Sequence, residues 1–219
     1  MTRLAIVYYS ATGNIHKLAV AAAAAGEAAG AEVRLRRAAE ISSEPLAPNF
    51  SAWTDANAEH AATAHDGVQE ASIDDLDWAD AVLWGTPGRY GLLAGPLKHF
   101  IDQTFELHAR RGLVNKVMSS FTSTGTPHGG QESTILSLNN VFYHWGAIIV
   151  APGVIDDVLL RPSNGNPYGV SATSGLQAVP GGLALNVTED NLLAIGFQAR
   201  RVIEVAAALK AGLPTPVPA

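Results

Sequence analysis

Residues 4–17 read LAIVYYSATGNIHK, and the fold follows from them. Leu4-Ala5-Ile6-Val7-Tyr8-Tyr9 is an apolar, β-branched run of the kind that forms a short strand buried on both faces. A turn of hydroxyl, glycine and amide residues, Ser10-Ala11-Thr12-Gly13-Asn14, follows at once, and an alanine-rich helical pattern then runs from Ile15 to Ala29. A strand that enters a helix through such a turn makes an anion site. Unpaired N–H groups of the turn and of the first helical turn point into one space, and the helix dipole favours negative charge there.

The turn narrows the choice of anion. It holds a single glycine, so it is not the dinucleotide pattern G-x-G-x-x-G, and it lacks the Gly-Lys-Ser/Thr ending of a triphosphate loop. It offers the hydroxyls of Ser10 and Thr12 and the amide of Asn14, with no Lys or Arg before Lys17. Such a set suits a small terminal phosphate held by neutral donors without a metal. Taken alone it equally fits an ordinary helix N-cap, where Ser and Thr are preferred anyway.

The rest of the chain bounds the answer. At 219 residues, 47% hydrophobic and 16% charged, a single α/β domain over residues 1–212 is expected, followed by a loose Pro-rich tail over 213–219. A net charge of −6 without a basic stripe argues against nucleic acid. The absence of cysteine excludes disulfides, thiolate nucleophiles and Cys-type zinc sites. No charged-then-apolar leader precedes Leu4 and no apolar run approaches the roughly 18 residues of a membrane span, so a cytoplasmic location is expected.

Along the chain, Gly30 suits a left-handed helix cap, and residues 31–36 alternate with period two, as in a half-exposed edge strand. Residues 42–77 are poorly determined; a weak helical pattern covers 55–64, and His60 and His65 read as solvent-facing rather than as metal ligands. Strands are expected over 79–85, 116–121 and 146–150, with helices over 94–107, 131–144 and 191–210. Residues 151–187 form a long Gly/Pro/Asn-rich insertion after strand five. Strands alternating with helices predict a doubly wound, flavodoxin-like parallel sheet of order 2-1-3-4-5, whose ligand binds beyond the carboxyl ends of the strands at the switch beside strand one.

Three loops then converge on that edge. The first supplies phosphate donors. The second, Thr86-Pro87-Gly88-Arg89-Tyr90-Gly91, adds backbone N–H groups, an arginine and an aromatic ring. The third, residues 122–130, is a flat glycine- and hydroxyl-rich wall. A ligand with a phosphate at one end and a flat polar ring at the other fits all three: flavin mononucleotide (FMN).

These motifs carry a resemblance. Ser10-Ala-Thr-Gly-Asn-Ile15 resembles the flavodoxin phosphate loop. Gly85–Gly91, Phe100–Thr104, Ser123–Thr126 with Gly129–Glu132, His144-Trp-Gly146 and Asn166–Gly169, in this order, resemble the WrbA family of FMN-dependent NAD(P)H:quinone oxidoreductases over residues 4–210. The resemblance implies that Ser10, Thr12, Gly13, Asn14 and Ile15 hold the FMN phosphate. It places Pro87, Gly88, Arg89, Tyr90 and Gly91 beside the isoalloxazine, and Ser123, Thr124, Gly125, Thr126 and Gly129 along the ring and ribityl chain. His144 matches a histidine that borders the substrate side of the flavin, as a hydrogen-bond or proton donor to a quinone; it could also sit at a helix end beside a subunit contact. His108 stands where a substrate-side tryptophan is common, and could touch a ligand or be an exposed helix-end histidine. The implied reaction is ping-pong, with NADH or NADPH donating a hydride and a quinone accepting it.

The chain departs from the family at Thr12, often a tyrosine, at His108, and at Pro127-His128, where the third loop carries an extra residue. These changes bear on nicotinamide stacking rather than on FMN. The alternative is a one-electron carrier between protein partners. The family also forms tetramers, so a homotetramer (or a dimer) is expected, with the insertion packed on a neighbour through Val154, Leu159, Tyr168 and Leu183.

Overall fold

The computed structural model describes residues 1–42, 44, 46–63, 67–174 and 186–212. Its centre is a parallel sheet in the order β2-β1-β3-β5-β6, formed by β1 (Arg3–Tyr8), β2 (Glu32–Arg37), β3 (Ala81–Arg89), β5 (Val117–Thr124) and β6 (Ile148–Ile149). Two short strands attach to this path: β4 (Leu92–Leu93) turns back on β3, and β7 (Ser171–Thr173) runs parallel to the upper part of β5. The flavodoxin-like order therefore holds, with one refinement. The fifth strand position is filled in two pieces: Val117–Met118 pair with β6, Thr122–Thr124 pair with β7, and residues 150–170 loop out between them. The sequence expectation of one strand over 146–150 missed the second piece, because Ser171-Ala172-Thr173 has no apolar run to announce it.

Helices cover both faces. α1 (Asn14–Ala28) and α7 (Glu189–Gly212) close one face over Leu4, Ile6, Leu83 and Phe121. On the other face, α3 (Ile73–Trp78), α4 (Gly95–Asp102), α5 (Phe105–Ala109) and α6 (Gln131–Trp145) pack over Val7, Val82, Trp84 and Met118. β1, the first half of β3 and all of β5 are buried, and β1 and residues 81–84 are accordingly apolar without alternation, whereas β5 buries serines and threonines among its apolar residues. α2 (Ser51–Thr63) lies in the excursion between β2 and β3. The single helix expected over 94–107 is two short ones, α4 and α5, separated at Gln103–Thr104. α3 was not legible as a helix; a reciprocal capping box between Ser72 and Asp75 starts it.

Gly85 permits the close approach of β3, β5 and α1. A Cβ there would lie 2.3 Å from Phe121 Cζ and 2.9 Å from Ile15 Cγ2, both core atoms. Gln198, fully buried on α7, fixes the returning chain: its Nε2 donates to Ser119 Oγ at 2.7 Å and to the Ser120 carbonyl at 2.8 Å, while its Oε1 accepts from Val170 N–H at 2.9 Å. The apolar replacement Gln198→Leu leaves the Val170 amide without an acceptor in the core. A loss of about 1–3 kcal/mol in urea unfolding is expected, in line with the usual cost of an orphaned buried polar group; a loss below that range would show that Gln198 is dispensable.

At the opposite end of the sheet, Asp80 receives hydrogen bonds from Arg3 and Lys210. Burial pushes its carboxyl up, but those bonds and the charge of Arg3 outweigh it and bring it from the usual 3.8 to about 2. A carboxylate depressed in the folded state stabilises it above the unfolded pKa and loses that contribution as pH falls through the folded one. The stability of the protein should therefore fall between about pH 4 and pH 2, and Asp80→Asn should flatten that part of the curve in a pH series of urea midpoints.

Candidate functional site

The first loop is held open by its own backbone. Gly13, at φ 90°, ends it in a left-handed conformation that a side chain would strain. Ser10 Oγ accepts from the N–H groups of Gly13 (3.2 Å) and His16 (3.3 Å). Among the described residues, the N–H groups of Ala11, Thr12, Asn14 and Ile15 make no hydrogen bond. A ring of amides at the start of a 15-residue helix is thus available to an anion. Thr12 is half-buried at its rim. Asn14 and Ile15 offer main chain only: the Asn14 side chain is buried and donates to the Ser174 carbonyl at 3.3 Å, and Ile15 is in the core.

The second stretch is not an open loop. β3 continues through Arg89 and reverses at Tyr90 (φ 54°) and Gly91 (φ 78°) to pair with β4, the two-residue hairpin geometry that needs positive φ at both positions. Thr86 anchors its base, accepting from Ala94 N–H through Oγ1 (2.9 Å) and from Thr122 Oγ1 through its carbonyl (2.7 Å). Pro87, Gly88 and Arg89 are half-buried, and the Tyr90 ring is fully exposed.

The third stretch packs against both of the others. A Cβ on Gly88 would meet Thr124 Cγ2 at 2.7 Å and Thr134 Oγ1 at 2.8 Å, and one on Gly130 would meet Gly91 Cα at 2.9 Å. The Thr124 carbonyl accepts from Ser174 N–H, and Ser174 in turn accepts from Asn14, so the first and third loops are joined through residue 174. Gly129 N–H and Thr124 Oγ1 both donate to the Thr126 carbonyl, folding residues 124–129 into a compact exposed turn that includes Gly125. Ser123 Oγ is buried with no hydrogen-bond partner among the described residues.

A cavity of about 980 Å³ lies between the first and second stretches. Ser10, Tyr9 and Tyr8 bound it on one side, Gly88, Arg89 and Tyr90 on another, and Trp53, Asn57 and His60 of α2 form its roof. Only a weak helical pattern over 55–64 announces this roof in the sequence, because α2 carries no apolar stripe. His60 is accordingly a correction: expected to face solvent, it is buried against the first loop. His65 lies outside the described residues. Tyr9 donates to Glu40 at 2.7 Å; burial and this carboxylate push its phenol well above the usual range, so it remains a neutral donor at the cavity wall. The third stretch does not line the cavity.

His144 and His108 are elsewhere. α6 begins at the third loop and runs back antiparallel to the strands, so His144, in its last turn, is exposed some 20 Å away, as 15 residues at about 1.5 Å each require. His108, in the last turn of α5, is exposed near the same end, where Asn115 N–H donates to the Gly146 carbonyl. Among the described residues no cluster of three or more His, Asp or Glu is placed to hold a metal, and no helix is long and apolar enough to cross a membrane.

The hairpin supplies a test. Tyr90 adopts a strained positive φ and packs on nothing, so Tyr90→Gly should leave thermal stability level or raise it by up to about 1 kcal/mol, the strain removed offsetting the extra unfolded-state freedom. A drop in melting temperature would show that the ring supports the fold instead.

Comparison with known proteins accords with this geometry. The family model described as NADPH-dependent FMN reductase matches residues 2–157. A Deinococcus radiodurans protein named NAD(P)H dehydrogenase (quinone) is 39% identical over 207 residues, covering 94% of this chain and 96% of its own length. A Paracoccus denitrificans protein of the same name is 37% identical over 215 residues, covering 97% of each chain. Among solved structures, the flavodoxin, WrbA-like protein from Agrobacterium tumefaciens superposes with a TM-score of 0.60 at 21% identity, over 95% of this chain and 99% of that one, a likeness of fold.

Proposed function

Since the chain belongs to the NADPH-dependent FMN reductase family, we propose that it is an FMN-dependent NAD(P)H:quinone oxidoreductase whose flavin runs from the first loop to the β3–β4 hairpin. One observation carries the placement: a single cavity touches both the anion loop, at Ser10, and the hairpin, at Gly88, Arg89 and Tyr90. Its volume lies within the roughly 300–1,000 Å³ of small-molecule sites. The residues fit FMN. Four loop amides and the Ser10 hydroxyl suit its phosphate.

When bound, FMN supplies the two-electron chemistry, accepting a hydride from NAD(P)H and delivering it to a quinone. The protein's part is to bind, orient and polarise. The amides of residues 11–15 would hold the phosphate, with the Ser10 hydroxyl beside them. Gly88 keeps the hairpin backbone close to the third loop, and Arg89 at the cavity wall would favour the negative charge of a reduced flavin ring bound there. Donor and acceptor would take turns in the same cavity, which Trp53 and the hairpin wall in. That roof favours a substrate pocket over the exposed flavin edge of a one-electron carrier.

His144 enters this scheme only across a subunit boundary, because its own α6 carries it away from its own cavity. Exposed apolar side chains support such an assembly: Phe105 and Tyr143 on the helices, and Val154, Ile155, Leu160 and Tyr168 in the insertion. Leu159, by contrast, is buried within its own chain, and Leu183 lies outside the described residues. In a homotetramer or dimer a neighbour's His144 would donate a hydrogen bond or a proton to the quinone oxygen.

The test is His144→Ala in FMN-loaded protein. Reoxidation by benzoquinone should slow by about a hundredfold or more, the usual scale for a lost general acid, while FMN affinity stays within twofold. Unchanged reoxidation, or light scattering that finds a monomer at micromolar concentration, would remove His144 from the site.

A further inference from the structure

α2 brings to the anion loop two side chains that the loop motif does not contain. Asn57 Nδ2 donates to the Ala11 carbonyl at 2.6 Å, which ties the helix to the loop. His60, one turn further and on the same face, is 8% exposed. Its ring stands over Gly13, so that a Cβ built there would lie 3.6 Å from His60 Nδ1. His16, in the first turn of α1, completes the arrangement: its ring centroid is 5.5 Å from that of His60, and its Nδ1 is 2.6 Å from Tyr8 Oη. The loop that offers amides from below therefore has two imidazoles beside it, one from its own helix and one from the roof.

Charge makes this arrangement informative. A phosphate monoester carries close to two negative charges near neutral pH. The loop meets it with amides and hydroxyls, and the first basic residue, Lys17, is exposed on the helix. An imidazole has an ordinary pKa near 6.5, and an adjacent anion raises it, so such a ring takes up a proton when the anion arrives. Two imidazoles in contact disfavour double protonation in the absence of an anion and tolerate it in its presence.

We propose that α2 is a clamp on the phosphate loop and that His60, backed by His16, is a phosphate-binding residue that becomes protonated as the FMN phosphate binds. The inference rests on the reading that this loop holds that phosphate. Among the described residues, other charged or titratable groups line the same cavity or adjoin the pair. Tyr8 comes from β1, Arg37 and Glu40 from the end of β2, Glu44 from the excursion, Arg89 from β3, and Glu59 precedes His60 on α2. Burial raises the Tyr8 phenol to about 12, so it serves His16 as a neutral partner throughout the range in which imidazole titrates. Arg37 already pairs with Glu70, and Glu40 with Tyr9. Among the described residues of this cavity, the imidazoles are the side chains whose ordinary pKa lies nearest neutral.

The experiment is a titration of the flavin-free full chain with FMN and, separately, with riboflavin, which lacks the phosphate, between about pH 6.5 and 8.5. Uptake of one proton weakens binding by up to tenfold per pH unit above the free imidazole pKa. FMN affinity should thus fall about tenfold or more across the range, while riboflavin affinity stays level. His60→Gln should weaken FMN at the lower pH by about tenfold and flatten its pH profile, with a much smaller effect on riboflavin. Calorimetry of wild-type protein with FMN in two buffers of different ionisation enthalpy should show net proton uptake, which keeps the test alive even if the variant folds poorly. FMN binding that is tight, independent of pH and free of proton uptake, or indifferent to His60→Gln, would overturn the clamp and leave the flavin reading standing. Failure of the wild type to prefer FMN over riboflavin would overturn both.

Discussion

The structure depends on the unpaired backbone amides between β1 and α1. A strand buried on both faces must leave the sheet through a tight turn, and a helix that starts at once leaves its first N–H groups without carbonyl partners. Gly13 takes the left-handed conformation that joins the two, and Ser10 caps part of the deficit from within. The rest remains for a ligand. Everything else at the carboxyl edge is arranged around that deficit. The hairpin after β3 closes on the loop after β5, residue 174 ties that loop back to Asn14, and α2 lies over the top with Asn57 bonded to Ala11.

Much of this is written in local sequence. The runs at 4–9 and 81–84 are apolar without alternation because both faces are covered, and the 3.6-residue stripe of α7 is continuous. Those features fix the sheet order and hence the edge at which the three loops meet. What stayed hidden depends on long-range contact. Ser171-Ala172-Thr173 becomes a strand only because Gln198 and β5 present it with partners. α2 has no apolar face to predict from, yet Trp53 is buried in the core and His60 is buried over Gly13. The Gly88–Gly91 stretch looks like an open loop in sequence but is a hairpin, since Tyr90 adopts a positive φ that its residue type does not advertise.

The two histidines that a family motif singles out show where a motif stops being a site. His144 and His108 both lie at the far ends of their helices, away from the cavity of their own chain. Distance along α6 follows from counting residues, so the sequence already contained this separation. What it did not contain is the surface a neighbouring chain would present. The histidine that does stand beside the anion loop, His60, belongs to the stretch that was hardest to read.

The account turns on one claim, that this edge binds FMN and passes two electrons from a nicotinamide to a quinone. The most direct measurement is sequential-mixing stopped-flow absorbance of the FMN-loaded protein, first with NADH or NADPH under anaerobic conditions and then with benzoquinone. The account predicts complete bleaching of the flavin band by at least one nucleotide and full recovery on adding quinone, without an oxygen requirement. A protein that binds FMN but is bleached by neither nucleotide would contradict it, and would make the cavity under α2 a site for some other partner.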